Sequence, residues 1–531
     1  MVAAASSVAP PSVRDAVIDL LRRFGMTSIF ANPGSTELPL FRRFPEDFRY
    51  ILGLQEAVVV GMADGYAQAT RNAAFVNLHS AAGVGNAMGN IFTAFKNRTP
   101  LIVTAGQQAR SILPFDPFLA SREATEFPKP YIKWSVEPAR AADVPLAIAR
   151  AYYIAMTPPR GPVFVSVPVD DWDQPSEFVA VREVSRTLRP DPALLERVGA
   201  LLDASERPAF VVGAAVDRDG AWDEIVRLAE AYQARVFAAP MSGRCSFPED
   251  HRLFAGFLPA MREKIVGLLA PHDVVFAVGA PAFTYHVEGA GPHVPAGAQL
   301  VQLTDDPDTA AWAPVGVSLV SSVRLGLADL LARPTPAVRT PPPPRAAAPR
   351  AESGSPMSVA YVLQTLAETR KPSDIVVEEA PSARPLMQAY LKITQSQGFF
   401  TMDSGGLGYA MPAAVGVALG KPGAKVIALI GDGSAMYSIQ ALWSAAQLAL
   451  PITFVILNNR SYAALKDFAL VFGFTANEAV QGTELPGLDF VSMARGMGCE
   501  AERVTKATAL SQTLARAFAS RGPNLVEVEI A

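Results

Sequence analysis

The sequence predicts an α/β protein of three doubly wound domains, each built on a mainly parallel sheet. Three observations lead there. Short apolar segments alternate with helical patterns along most of the chain, and strands separated by helices form parallel sheets covered on both faces. The 531 residues exceed what one core accommodates and suggest about three domains of ordinary size. A proline-rich break, Arg333–Pro356, carries Pro341-Pro342-Pro343-Pro344 and sets off the last third of the chain.

The elements follow in order. Ser12 is placed to cap a helix through Val17, Leu20 and Leu21, with Gly25 past its end. Ser28–Ala31 reads as a strand that closes in the turn Asn32-Pro33-Gly34-Ser35. Tyr50–Leu54 reads as a strand leading into a helix from Glu56. Ala74–His79 reads as a strand, followed by a glycine-rich turn and a helix through Phe92, and Leu101–Ala105 as a fourth strand. The first domain, residues 1–180, winds down near Asp170-Asp171-Trp172. The second, residues 185–332, has strands at Ala209–Val212, Ala234–Ala238, Asp273–Val278 and Leu300–Leu303 and no nucleotide fingerprint. Residues 333–356 are expected to run extended over the surface as a spacer, because such a stretch cannot form a helix or a central strand. Residues 357–531 form the third domain, with strands at Lys425–Ile430 and Ile452–Leu457 around a helix near Ile439–Leu448.

Composition narrows the function. Half the residues are apolar and 18% are charged, with a net charge of −4. That is a globular balance, without the basic field that binds nucleic acid or an anionic membrane. Met1–Pro11 lacks the basic and long apolar regions of a signal peptide, and no apolar run reaches bilayer-spanning length. Cys245 and Cys499 are far apart in sequence, so neither a disulfide scaffold nor a zinc site is implied, and a cytoplasmic setting is expected.

The most informative segment is the unit around Gly431-Asp432-Gly433-Ser434. A strand precedes it, a helix follows, and the next strand ends in Asn458-Asn459. Both polar clusters therefore fall at the carboxyl ends of parallel strands, where open α/β sheets bind ligands. Mg²⁺ takes near-octahedral oxygen ligands, few of them from protein and the rest from phosphates and water. Asp432 can offer a carboxylate oxygen, Asn459 an amide oxygen and Ser461 a main-chain carbonyl. Gly433 and Ser434 let backbone N–H groups approach a phosphate at a helix start. Gly-Asp-Gly alone is equally an ordinary turn; the whole arrangement is far more specific.

That arrangement resembles the cofactor motif of the thiamine-diphosphate (ThDP) superfamily of pyruvate decarboxylase and acetohydroxyacid synthase. The segments Asn32–Ser35, Phe44–Leu52, Asn77–Gly83, Leu101–Gln108 and Gly279–His286 resemble the benzoylformate decarboxylase family within it. The resemblance implies a pyrimidine-binding first domain, a central domain and a diphosphate-binding third domain. It implies ThDP with Mg²⁺ (or Ca²⁺) as cofactors and non-oxidative decarboxylation of an aromatic 2-oxo acid such as benzoylformate to an aldehyde and CO₂. By the same likeness Glu56 holds the aminopyrimidine, Gly405 offers a carbonyl to it, Leu407 props the cofactor in its bent form, and Tyr462 joins Asp432, Gly433 and Ser434 around it. Ser35 corresponds to the serine that holds the substrate carboxylate, and His79 and His286 to two proton-moving histidines. Imidazole suits that task because it titrates near pH ~6.5. Thr401, Ala464 and Phe468 fall on pocket positions.

Each residue also has a plainer reading: Glu56 as a helix-start acid, Ser35 as a turn residue, His79 and His286 as packed side chains, Leu407 as core. His251, His272 and His293 are expected at the surface. Two departures stand out. Thr401 replaces an aromatic residue, and Arg460 replaces the glycine that follows Asn459 in the family. The alternatives are a carboligase, an acyl-CoA lyase or another 2-oxo acid decarboxylase of the superfamily, or a ThDP-binding paralogue without activity. Family likeness also implies a homo-oligomer, at least a dimer and by expectation a tetramer, with no nucleic-acid or membrane partner.

Overall fold

The computed structural model describes residues 10–334, 336–475 and 478–531. The apolar start thus lies outside the described residues as far as Ala9, as does Thr335 of the proline-rich stretch. By contacts the chain divides into two compact units, Met1–Arg186 with Val415–Gly420, and Thr187–Ala414 with Lys421–Ala531.

Eighteen named strands form three six-stranded sheets, and every recorded pairing among them is parallel. The first sheet comprises β1 (Ser28–Ala31), β2 (Arg49–Leu52), β3 (Ala74–Leu78), β4 (Leu101–Gln107), β5 (Ser135–Val136) and β6 (Val163–Pro168). The second comprises β7 (Pro208–Val212), β8 (Arg235–Ala238), β9 (Phe254–Phe257), β10 (Val274–Val278), β11 (Gln299–Thr304) and β12 (Val317–Val320). The third comprises β13 (Ile375–Glu379), β14 (Phe399–Phe400), β15 (Val426–Gly431), β16 (Ile452–Asn458), β17 (Glu500–Val504) and β18 (Asn524–Glu529).

The first and third sheets share one strand order, β2-β1-β3-β4-β6-β5 and β14-β13-β15-β16-β18-β17. The second runs β12-β11-β10-β7-β8-β9. Order therefore reverses between β1 and β3, between β13 and β15, and between β7 and β10. Such reversals open crevices at the carboxyl edge. In the second sheet the crevice is laced shut: Gly213 N–H donates to the Val278 carbonyl (2.9 Å) and Ala215 N–H to that of Gly279 (3.1 Å). This accounts for the missing nucleotide fingerprint.

Local signals explain the first unit. Ser12 and Asp15 form a reciprocal capping box at the helix Val13–Arg23, whose apolar stripe of Val13, Val17, Leu20 and Leu21 is buried. Gln55 caps the helix Glu56–Thr70, its oxygen accepting from Ala57 N–H (2.7 Å) and Val58 N–H (3.2 Å). One expectation fails here. The glycine-rich run after β3 is not a turn but the first half of the helix Ser80–Lys96. Tertiary bonds override glycine's weak helix propensity: Asn86 donates to Glu56 Oε2 (3.0 Å) and Asn90 to the Ala57 carbonyl (2.6 Å).

In the second unit the described residues of the proline-rich stretch form no named helix or strand, and their side chains bond to elements on either side. Arg333 pairs with Glu196 and Asp203, Arg339 donates to the Leu202 carbonyl (2.9 Å), and Arg345 reaches the Gln388 carbonyl (3.3 Å). Further along, Tyr390 donates to the Pro349 carbonyl (2.9 Å). The stretch is thus tied to the elements around both the second and third sheets.

A buried ion pair joins the same two sets of elements. Asp217 accepts from Arg244 Nε (2.9 Å), Ser396 Oγ (2.6 Å) and Gln397 N–H (2.9 Å). Arg244 also lies 3.9 Å above the Phe400 ring. Burial raises the Asp217 pKa, but Arg244 and the surrounding donors outweigh it and hold the carboxyl below its usual range. A depressed pKa stabilises the fold above the unfolded value, and that contribution is lost as pH falls through the folded one. Asp217→Ala should therefore lower stability by about 3–5 kcal/mol at neutral pH, since it removes one member of a buried ion pair. Chemical denaturation should show the gap between variant and wild type closing as pH drops below about 4.

Candidate active site

In the first unit the residues gather where strand order reverses between β1 and β3. The turn after β1 is pinned by Asn32, which donates to the Gly53 carbonyl (2.8 Å). Ser35 is exposed at its tip. His79 leaves the end of β3 and lies flat on this turn; a Cβ on Gly34 would sit 2.1 Å from His79 Nδ1, so only glycine admits the ring. His79 Nδ1 lies 2.8 Å from Glu37 Oε2. Glu37 is only 1% exposed and also accepts from Gly34 N–H (2.8 Å), Gly106 N–H (2.8 Å) and Thr36 Oγ1 (2.7 Å). A carboxylate so surrounded by donors takes a proton donor from the imidazole as well. That fixes Nδ1 as the N–H and leaves Nε2 to exchange protons. Glu56, half-buried at the start of its helix, accepts from Asn86.

In the second unit Asp432 and Asn459 come together at the ends of β15 and β16. Asp432 Oδ2 and Asn459 Oδ1 both face the Ser461 N–H, at 3.2 and 3.0 Å. The neighbouring asparagine diverges: Asn458 donates to buried Glu527 (2.7 Å) inside the sheet. Tyr462 packs on Gly433 so closely that a Cβ there would fall 2.3 Å from its ring. Ser434 is buried beside it. Burial raises the Asp432 pKa, opposed only by backbone N–H groups such as that of Gly433. No Lys or Arg among the described residues pairs with it within 4.0 Å.

The glycine-rich turn holds Gly405, exposed with φ +72°, and Leu407, half-buried. His286 is exposed on the loop after β10, its backbone N–H bonded to the Ala260 carbonyl (2.9 Å). Its ring stacks on Phe468 at 4.6 Å and 28°. Ala464 lies one turn before Phe468 on the helix Ala463–Ala469, half-buried. Thr401 is buried, its hydroxyl donating to the Glu378 carbonyl (2.7 Å) and accepting from Arg384 (2.7 Å).

Three domain descriptions match this chain: the N-terminal TPP binding domain of thiamine pyrophosphate enzymes over residues 11–126, their central domain over 195–330, and their C-terminal TPP binding domain over 382–528. Benzoylformate decarboxylase of Pseudomonas aeruginosa is 45% identical over 97% of this chain and 98% of its own length. The chain belongs to the benzoylformate decarboxylase family of thiamine pyrophosphate enzymes. Solved structures agree. Benzoylformate decarboxylase from Polynucleobacter necessarius superposes with a TM-score of 0.95 at 40% identity, covering 98% of each chain. The thiamine diphosphate-dependent 4-hydroxybenzoylformate decarboxylase of Rhodococcus jostii RHA1 gives 0.94 at 38% identity, covering 98% of this chain and 99% of its own.

The donor set of the second unit fits a metal-bound diphosphate. Two side-chain oxygens converge, one on a buried carboxylate without a cation, and a glycine and a serine open the helix beside them. Two groups escaped sequence reasoning. Glu37 belongs to no motif singled out in the sequence, and only the contact with His79 reveals it. Glu379 ends an apolar strand, and a charge at the carboxyl end of a parallel strand was the available signal. None of the three histidines expected at the surface is exposed: His251 is half-buried with Nε2 3.3 Å from Glu230 Oε1. His272 is buried with Nδ1 3.0 Å from the Arg207 carbonyl, and His293 is half-buried with Nδ1 2.8 Å from Tyr285 Oη.

The glycine that Arg460 replaces also has a physical reason. Arg460 adopts φ +59°, the left-handed region that favours glycine, and its side chain pairs with Glu529 (2.8 Å) at the surface. Arg460→Gly should leave the fold intact and raise stability by up to about 1 kcal/mol, because the strain relieved exceeds an exposed ion pair. Thermal unfolding is the measurement, and a clear loss of stability would contradict this account.

Proposed function

We propose that the protein decarboxylates an aromatic 2-oxo acid, benzoylformate or a ring-substituted relative, to the aldehyde and CO₂. The observation that carries this reading is that one chain holds a diphosphate-type cradle, Asp432 with Asn459, together with His79 at the end of β3 and His286 on the loop after β10. ThDP, when bound, supplies a nucleophilic carbon and an electron sink for the electrons released with CO₂. The residues that would hold it are Glu56 and the Gly405 carbonyl at the pyrimidine, Leu407 beneath it, and Gly433, Ser434 and Tyr462 at the diphosphate. Asp432, Asn459 and the Ser461 carbonyl would hold Mg²⁺, or Ca²⁺ in its place.

The chain's own residues then bind, orient and move protons. The Ser35 hydroxyl donates to the substrate carboxylate. His79, held by Glu37, carries a proton at Nε2 for the ketone oxygen. His286 delivers a proton to the carbon that becomes the aldehyde carbon. Phe468 and Ala464 form an apolar wall for the aryl ring. Thr401, buried and bonded away, leaves more room than the aromatic residue it replaces, which favours a substituted ring. The histidine pair favours this reading over a carboligase or acyl-CoA lyase, and the retained Glu56, Asp432 and Asn459 favour it over a paralogue without activity.

The working state is read as a homo-oligomer, at least a dimer and in all expectation a tetramer, in the cytoplasm. Supporting it, Phe115 and Phe118 in the first unit and Phe472 in the second are 80%, 86% and 72% exposed in a single chain, and a partner would cover them. Among the described residues no helix is long and apolar enough to cross a membrane.

Removing the cation tests the cradle. Chelated, cofactor-stripped protein should release no CO₂ from benzoylformate, and ThDP with Mg²⁺ together should restore release. Full activity without either would refute the reading, and a panel of 2-oxo acids would rank the substrates.

The histidines give a second test. His79→Ala and His286→Ala should each slow decarboxylation by about 10²–10⁴-fold. Rapid-mixing spectroscopy should show different steps impaired: substrate capture without His79, aldehyde formation without His286. Wild-type rates in both variants would mean that neither imidazole moves protons.

A further inference from the structure

Glu379 is a buried carboxylate that the chemistry above does not use. It ends β13 at the carboxyl edge, paired in register with Ile430. It thus stands at the reversal of strand order, one strand from Asp432, and is 1% exposed. Its oxygens accept from three consecutive N–H groups, Gly408 (2.7 Å), Tyr409 (2.7 Å) and Ala410 (2.6 Å). These open the helix Ala410–Gly420, where the first N–H groups have no partner within the helix. No cation pairs with Glu379 among the described residues; the nearby Arg384 is taken by Glu378 (2.6 Å). Burial, aided by the charge of Glu378, pushes the Glu379 carboxyl up to about 7 despite the three donors.

A buried acid at this cost is an expensive helix cap, since an exposed Ser or Asn would serve. What distinguishes it is the turn it grips. Gly408 closes the run Gly405-Gly406-Leu407-Gly408, in which Gly405 and Gly408 have φ of +72° and +101°. Glycines in that region are intrinsically loose. Within this run Gly406 N–H also donates to Ser404 Oγ (3.0 Å).

We propose that Glu379 is a positioning residue for the cofactor: by holding three amides at the C-terminal arm of the glycine turn, it sets the direction of the Gly405 carbonyl and the Leu407 side chain before ThDP arrives. This rests on the reading of that turn as the pyrimidine-binding one. Glu379→Gln keeps the shape but turns an NH₂ group against N–H donors, so the turn loses at least one charge-assisted bond.

The test uses full-length protein with Mg²⁺. Calorimetry would give ThDP affinity, and amide hydrogen exchange on the cofactor-free protein would report the turn. Glu379→Gln should weaken ThDP binding by about tenfold or more, the scale of one such bond. Faster exchange should be confined to about residues 404–412, and the KM for benzoylformate at saturating ThDP should stay near wild type. Glu249→Gln is the control: this half-buried carboxylate accepts from Ile393 N–H (2.9 Å), and its loss should leave ThDP affinity unchanged. If Glu379→Gln fails to fold, Glu379→Asp keeps the charge but is too short to reach all three amides, and should show the same confined loss. Wild-type affinity and exchange in the variant would overturn the proposal, as would loosening spread across the whole third sheet. Wild-type protein that binds no ThDP at all would instead overturn the functional reading beneath it.

Discussion

Where strand order reverses in a parallel sheet, the two loops beside the reversal leave in opposite directions and a gap opens between them. The rest of the molecule is arranged around what fills each gap. Between β7 and β10 the protein fills it with its own backbone. Between β1 and β3 it places a glycine turn under an imidazole. Between β13 and β15 it places Glu379 and the Gly431-Asp432 turn. The first and third sheets share a strand order, yet the contents of their gaps differ in charge: one carries a histidine with its carboxylate, the other carboxylates that only backbone amides meet. A shared topology thus sets where ligand chemistry can be placed, and the local residues decide which chemistry it is.

Burying a carboxylate costs free energy that something must offset. Asp217 meets it with a guanidinium, and its pKa falls. Glu37 meets it with two backbone amides, a hydroxyl and an imidazole. Glu379 has amides alone, and Asp432 has amides with no cation, so both carboxyls are pushed up. The order is informative. The fully paired acid joins structural elements, and the two under-compensated ones stand at the carboxyl edge of the third sheet. For Asp432 a divalent cation would complete the set of partners. For Glu379 no ligand is needed to explain it, only the requirement that a glycine-rich turn hold one shape.

Much of this was legible in the sequence, and the limits have physical causes. The strands Ser28–Ala31, Ala209–Val212 and Ile452–Leu457 are short apolar runs bounded by turn residues, so period and punctuation locate them within a residue or two. The edge strands β5, β14 and β17 carry no such pattern, because a strand of two residues or one facing solvent needs no apolar run. The glycine-rich run after β3 reads as a turn because propensity alone disfavours glycine in a helix; bonds from Asn86 and Asn90 to another helix reverse that, and such bonds are invisible along the chain. Asp432 and Asn459 were visible because both lie on one βαβ unit. Glu37 and Glu379 were not, because each acts on residues some thirty to seventy positions away.

Under the proposed function the two histidines are held in unlike ways, and the difference suits their tasks. His79 has its Nδ1 bound to a buried carboxylate and its ring flat against backbone, so its free nitrogen keeps one position and one tautomer. A proton for the ketone oxygen is wanted at a fixed place, since that oxygen is positioned together with the carboxylate by the same turn. No side-chain hydrogen bond among the described residues restrains His286. Its ring is exposed and stacked on Phe468, a contact that fixes the plane but permits sliding and rotation within it. A proton for the new carbon is wanted only after CO₂ has left and its space has emptied, so the group that delivers it gains from being able to move into that space. Phe468 then has two duties on one face, an apolar wall for the aryl ring and a rest for the imidazole. A substitution there would disturb proton delivery and substrate fit together, which is why a change at Phe468 should be read alongside one at Ala464, the small residue one turn before it on the same helix.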